Sequence, residues 1–213
     1  GLTAAHEAQL LRRPGRSADE PPMCLILPGS RRGEVSRLGS VFGEAAERLA
    51  AITPEMTFVL PAAAQVERQI RDQVLGWNVN CRIVTGDAAK WQAFGQADVA
   101  IAASGTVLLE LALAGVPHMS SYKLDPIARQ FSRLITAWTL ALPNLIAGHV
   151  VVTEYYDNHV RPQRLAIVAD QLARDTLYRA AMLADFDLIR ARMRTDEPAS
   201  SLAARTLLSV IGR

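Results

Sequence analysis

A short apolar run followed by an amphipathic helical stretch recurs five times along this chain, and no other feature restricts its fold as tightly. Met23 to Leu27, closed by Pro28-Gly29, reads as a buried strand. Glu34 to Ile52 carries Val35, Leu38, Val41, Phe42, Ala45, Leu49 and Ile52 at helical spacing, and Pro54 stops it. Further strands are expected at Thr57 to Leu60, Val79 to Val84, Asp98 to Ala102 and Pro117 to Tyr122. Further helices are expected at Val66 to Val74, Ala88 to Phe94, Thr106 to Ala114 and Pro126 to Thr139. Beyond Pro162 the pattern is helical alone, with breaks near Asp175 and Pro198. This order predicts a parallel sheet covered on both faces, a Rossmann-like doubly wound α/β domain with C-terminal helices.

Residues 1–22 are polar and hold Pro14, Gly15, Pro21 and Pro22, so they read as a linker or the remnant of a missing N-terminal domain. Residues 23–213 read as one domain, without internal repeats. The chain opens Gly1-Leu2-Thr3 without an initiator methionine, as expected of a fragment or a processed product. Half of the 213 residues are hydrophobic and 21% are charged, which suits a globular chain with a buried core. A net charge of +2, with scattered Lys and Arg, argues against a nucleic-acid partner.

Cys24 and Cys81 sit in short apolar runs and read as reduced core residues. Nothing in the four histidines suggests a metal cluster, and no Ser-His-Asp spacing stands out. Leu134 to Val152 lacks charged residues, but Pro143, Asn144, Gly148 and His149 interrupt it. A membrane span needs about 20 mostly apolar residues, so this stretch reads as a buried helix followed by a loop.

Ligands of open parallel sheets bind at the carboxyl ends of the strands. Two loops there carry chemistry. In Pro28-Gly29-Ser30-Arg31-Arg32-Gly33-Glu34, Gly29 permits close backbone approach and Ser30 is a natural N-cap. Free N–H groups at the helix start attract an anion, and Arg31 or Arg32 adds a forked pair of donors. Taken alone, the segment also fits a capped turn with two solvated arginines. It is neither a P-loop nor a dinucleotide fingerprint.

The second loop is Ala103-Ser104-Gly105-Thr106, leading to Glu110 one helical turn later. Its hydroxyls, glycine and N–H groups suit a phosphate, and the Glu110 carboxylate suits a ribose diol. A plain helix cap with a solvated Glu110 is the alternative. Together the two loops point to a nucleotide diphosphate. A third segment, Leu142-Pro143-Asn144-Leu145-Ile146-Ala147-Gly148, offers one amide. That amide could meet a phosphate or a sugar hydroxyl, or could simply bond to backbone in a core-lining loop.

These segments, in this order and with Tyr122-Lys123 between the last two, resemble the lipid-A-disaccharide synthase family from about Met23 to the C-terminus. The resemblance implies the C-terminal, UDP-sugar-binding half of a GT-B glycosyltransferase of lipid A biosynthesis. It implies an inverting enzyme needing no bound metal or cofactor. Such an enzyme transfers diacylglucosamine from UDP to diacylglucosamine-1-phosphate, releasing UDP and lipid A disaccharide-1-phosphate.

By the same resemblance Arg31 and Ser30 hold the diphosphate, with Gly29 and Ser104 in the same two loops. Gly105 and Thr106 donate to the same group, Glu110 holds the ribose, Asn144 supports the diphosphate or the sugar, and Tyr122 walls the site. The catalytic base and most acceptor contacts are expected in the N-terminal domain. The fragment alone should therefore bind nucleotide without catalysing transfer. Both substrates are acylated, so the enzyme is expected at the cytoplasmic face of the inner membrane. Ile127 to Leu140 is the candidate membrane surface, although packing on the sheet or on the missing domain suits it better.

The chain departs from the family at His118-Met119-Ser120-Ser121, where the family is more apolar, and at Asp157, where many members carry Gln. Alternative readings are another GT-B enzyme, such as a cell-wall N-acetylglucosaminyltransferase or a UDP-sugar epimerase, or a non-catalytic nucleotide-sugar-binding module. The Leu-Pro-Asn segment argues against the first two.

Overall fold

The computed structural model describes residues 21–124, 137–174, 176–194 and 199–211. The elements are β1 (Met23–Leu27), α1 (Arg32–Ile52), β2 (Thr57–Ala62), α2 (Glu67–Val74), β3 (Cys81–Thr85), α3 (Asp87–Gln96) and β4 (Val99–Ala103). They continue with α4 (Val107–Ala114), β5 (His118–Tyr122), α5 (Leu142–Ala147), β6 (Glu154–Tyr156), α6 (Pro162–Ala173), α7 (Leu177–Met193) and α8 (Ala199–Ile211). Of the expected linker, residues 1–20 lie outside the described residues.

The strands form one parallel sheet in the order β3-β2-β1-β4-β5-β6. Successive side chains of a strand face opposite sides, and both sides of this sheet are covered. Cys24, Ile26, Phe58 and Ile101 pack with Phe42 and Leu49 of α1, Ile70 of α2 and Leu165 of α6. Leu25, Leu27, Val59 and Ala102 pack with Phe94 of α3 and with Leu108 and Leu111 of α4. Burying each such Leu or Phe contributes about 1.5–3 kcal/mol relative to exposure. The chain thus carries its own two-sided core.

Helix α1 lies close to its neighbour because two of its positions are glycines. A Cβ at Gly43 would stand 2.4 Å from Trp77 Nε1, and one at Gly39 would stand 1.9 Å from Gln73 Oε1. The Gln73 side chain can swing away, whereas the Trp77 ring is bulkier. Gly43→Ala is therefore expected to destabilise the chain by about 1–3 kcal/mol, the usual range for overpacking. A chemical-denaturation midpoint equal to that of the parent would contradict this packing.

Two local expectations are corrected and a third falls largely outside the described residues. Pro61 does not end β2; it lies inside it and pairs with Val84. The β1–β2 register runs only to Leu25↔Val59, so the missing N–H of Pro61 falls past that pairing. The expected helix at Pro126 to Thr139 lies mostly outside the described residues, and 137–139 are not helical. The stretch read as buried helix and loop contains instead the short helix α5, and a sixth strand, unforeseen in the sequence, follows it. Among the described residues no helix is long and apolar enough to cross a membrane.

The unusually polar β5 is nevertheless buried: His118, Met119, Ser120 and Ser121 are at most 1% exposed. The His118 ring stacks on Phe186 of α7 at 5.4 Å, and its Nδ1–H donates to the Val116 carbonyl at 2.8 Å. Burial lowers its pKa to about 4, so the ring is the neutral tautomer at pH 7. Cys24 and Cys81 are free and buried, and burial pushes the Cys81 thiol up to about 12. Both are inert core side chains.

Candidate functional site

In the observed order, successive strands run outward from β1 to β3 on one side and from β4 to β6 on the other, so the strand order reverses between β1 and β4. Helix α1, leaving β1, covers one face of the sheet, and α4, leaving β4, covers the other. A crevice therefore opens at the carboxyl ends of these two strands, the place where doubly wound sheets hold ligands. The strands pair directly, Leu27 opposite Ala102, so the two chemistry-bearing loops leave the sheet about 5 Å apart. Ser30, Arg31, Gly105 and Thr106 are all exposed there, and Gly29, Ser104 and Glu110 are half-buried.

The α1 tip is not as open as its sequence suggests. The helix begins at Arg32 with Arg31 at the N-cap, not Ser30. Glu34 folds back over the tip: its Oε2 accepts from Ser30 N at 3.1 Å and from Arg31 N at 3.2 Å. Its Oε1 pairs with Arg31 Nη1 at 3.2 Å. Gly29 makes room for this arrangement. At φ +114° a side chain is strained there, and a Cβ would stand 2.5 Å from Glu34 Oε2. The first group that Gly29 admits is thus an acidic side chain of the protein itself. Arg32 and Gly33 still offer N–H groups without an acceptor among the described residues.

The loop is held from outside by a stripe of glutamines at four-residue spacing. Gln65, Gln69 and Gln73 donate to the carbonyls of Ser30, Arg32 and Val35 at 3.1, 3.1 and 3.2 Å. The Arg31 guanidinium, by contrast, is 84% exposed and, among the described residues, held only by Glu34. Exposed pairs of this kind are worth little, so Arg31 is free to turn towards a ligand.

The α4 tip is open. Neither Ser104 nor Thr106 caps it with its side chain. Ser104 N donates to the Ser121 carbonyl at 2.9 Å, which ties the loop to β5. The N–H groups of Gly105, Thr106 and Val107 have no acceptor among the described residues. Helix α4 thus presents unpaired N–H groups and its positive dipole end to the crevice. Glu110, one turn in, pairs with Lys90 of α3. Tyr122 ends β5, one strand away, and is half-buried.

Asn144 is elsewhere in character. The expectation that it touches a diphosphate or sugar is corrected by its burial: it is 0% exposed. Its Oδ1 accepts from Val151 N and Val152 N, both at 2.8 Å, and its Nδ2 donates to Val152 O at 3.0 Å and Thr139 Oγ1 at 3.2 Å. This is the backbone-bonded alternative, with the segment forming α5 rather than a loop. The same network holds Glu154, whose carboxylate accepts from Thr139 Oγ1, Leu140 N and Tyr156 OH. Burial, then the hydrogen bond to Glu154, pushes the Tyr156 phenol above its ordinary range. Nothing in the local sequence around Glu154 marks it as the hub joining β6 to α5.

Among the described residues no group of three or more His, Cys, Asp or Glu could hold a metal ion. A groove of about 1280 Å³ opens at the opposite, amino-terminal edge of the sheet, among Met23, Met56, Phe58, Arg82 and Asp98. It is remote from the loops described above.

With this geometry established, comparison with known proteins is informative. A family model described as lipid-A-disaccharide synthetase matches residues 9–201. A lipid-A-disaccharide synthase of Rhodopseudomonas palustris (strain HaA2) is 38% identical over 194 residues, covering 90% of this chain and 49% of the relative. The chain spans about half the length of the curated relatives it matches. Among solved structures, the C-terminal domain of a glycosyl transferase group 1 family protein (LpcC) from Francisella tularensis superposes with a TM-score of 0.55 at 13% identity. That match covers 89% of this chain and 98% of the other. Anabaena Alr3699/HepE in complex with UDP and glucose gives a TM-score of 0.55 at 14% identity, over 97% of this chain and 52% of the other. At these identities the structural likeness establishes the GT-B type of fold and nothing finer.

Proposed function

Since the chain belongs to the lipid-A-disaccharide synthetase family, we propose that it forms the sugar-nucleotide-binding half of an inverting glycosyltransferase. The complete enzyme moves diacylglucosamine from UDP to diacylglucosamine-1-phosphate, giving lipid A disaccharide-1-phosphate and UDP. The observation that carries this reading is the pairing of β1 with β4 at the reversal point, which sets two helix tips beside one crevice. In this reading Gly105 and Thr106 offer N–H and hydroxyl donors to the diphosphate, with Ser104, Ser30 and Arg31 alongside. Glu110 accepts from the ribose diol, and Tyr122 walls the site.

Transfer begins when the acceptor hydroxyl attacks the anomeric carbon and UDP leaves from the opposite face. Negative charge then grows on the leaving diphosphate. Fixed N–H groups, a helix dipole and a guanidinium are arranged to stabilise that charge, and they need little reorganisation as it develops. The catalytic base and most acceptor contacts belong to a preceding domain. With two acylated substrates the enzyme works peripherally at the cytoplasmic face of the inner membrane. Exposed Trp138 and Leu140 lie at the end of the candidate membrane segment, whose residues 127–136 fall outside those described and which packing on the sheet or on the preceding domain suits better.

Calorimetric titration of the chain with UDP and UMP, in the presence of EDTA, tests the nucleotide assignment. UDP is expected to bind about tenfold or more tightly than UMP, the factor for losing one charge-assisted contact. Equal affinities, or dependence on a divalent ion, would remove the diphosphate from this crevice.

A further inference from the structure

Helices α1 and α4 each carry a glutamate in the first turn, yet the two carboxylates behave differently. Glu34 folds back and takes the N–H groups of Ser30 and Arg31. Glu110 does not fold back: Lys90 Nζ lies 3.3 Å from its Oε1 and 3.2 Å from its Oε2. The ammonium is itself fixed. It lies 4.9 Å from the centroid of the Trp91 ring and 6.0 Å from that of Phe94, and those rings meet edge to face at 5.3 Å. Phe94 is fully buried, so the cage is anchored in the core. Asp87, mostly exposed, stands farther off at 3.9 Å.

We propose that Lys90 is a positioning residue: it holds the Glu110 carboxylate away from its own helix tip and presents it to the ribose diol of a nucleoside diphosphate. This rests on the assignment of that diol to Glu110. A first-turn carboxylate is drawn to the positive end of its helix and to the unpaired N–H groups there. Glu34, which sits one position nearer its N-cap than Glu110 does, shows the folded-back outcome on a helix where no cation from another element intervenes. By occupying one lone-pair direction on each Glu110 oxygen, Lys90 does two things. It leaves the Gly105, Thr106 and Val107 amides open for phosphate, and it leaves lone pairs of a side chain that is 35% exposed to accept from two hydroxyls. The pairing joins residues 20 positions apart on different helices, so no local motif records it.

Calorimetric titration of UDP and 2′-deoxy-UDP into the 213-residue chain and its variants tests the proposal. The parent is expected to prefer UDP by about tenfold or more, the worth of one hydrogen bond to a charged group. Lys90→Met keeps an aliphatic side chain beside the rings, and it should bring the preference close to one while leaving the melting temperature nearly unchanged. Glu110→Gln should do the same, Lys90→Met should add nothing in the Glu110→Gln background, and Lys90→Arg should keep most of the preference. Should Lys90→Met not fold, Lys90→Gln supplies the same readout. A preference retained in Lys90→Met but lost in Glu110→Gln overturns the role of Lys90 and leaves the ribose assignment standing. A preference retained in Glu110→Gln, or missing from the parent, overturns both.

Discussion

Asn144→Ala is expected to lower the melting temperature of the chain by about 10 °C. The substitution strips the acceptor from two buried N–H groups, Val151 and Val152, and the donor from Val152 O and Thr139 Oγ1. Each orphaned buried N–H costs about 1–3 kcal/mol, so the total is about 3–4 kcal/mol. In a chain of this size 1 kcal/mol shifts the midpoint by about 2–4 °C. Thermal denaturation followed by circular dichroism measures it. An unchanged midpoint would mean that this amide does not hold the 139–154 region together. Any activity lost by the complete enzyme in this variant should track its loss of folded protein.

The complementary expectation concerns Arg31. Its guanidinium is 84% exposed, and its single pairing with Glu34 is a surface contact. Arg31→Ala should therefore shift the chain's stability by no more than about 0.5 kcal/mol, as surface substitutions usually do. In the full-length enzyme it should lower turnover by roughly 10²–10³-fold, the effect of removing one donor from a developing anion. Arg31→Lys should recover only part of the loss, since a point charge cannot reproduce the forked donor. Turnover within a few-fold of the parent would take Arg31 out of the diphosphate site. The two variants separate cleanly: one is read in a melting curve, the other in kcat.

The contrast reflects what the sequence could and could not carry. Short apolar runs and helical spacing made β1, β4, α1 and α4 plain, since each is followed within a few residues by a Gly or Pro signal. The short elements were harder. Strand β6 has only three residues, Glu154–Tyr156, and its polar Glu154 reads as loop. Helix α5 has six, with a proline in its first turn, so Leu142-Pro143-Asn144 reads as irregular chain. The loops flanking β1 and β4 could be picked out as anion-friendly, but their adjacency is a product of strand order, which no local pattern encodes. The same holds for the occupants of the loops. In the sequence Glu34 reads as a helix residue and Glu110 as a ribose ligand. Glu34 turns inward onto its own tip, whereas Glu110 pairs with Lys90, a partner supplied by another helix.

The folded-back Glu34 has a consequence for how tightly this crevice can grip. A carboxylate already sits on the Ser30 and Arg31 amides, so an incoming phosphate that claims them exchanges one anion for another. It gains only the difference between the two. The loop keeps its shape because it has an internal placeholder, and a diphosphate bound as proposed would, on departing, leave behind no bare cluster of donors to restrain it. Such a swap favours quick release over strong retention, which would suit the proposed half-site if spent nucleotide has to leave before the next sugar arrives.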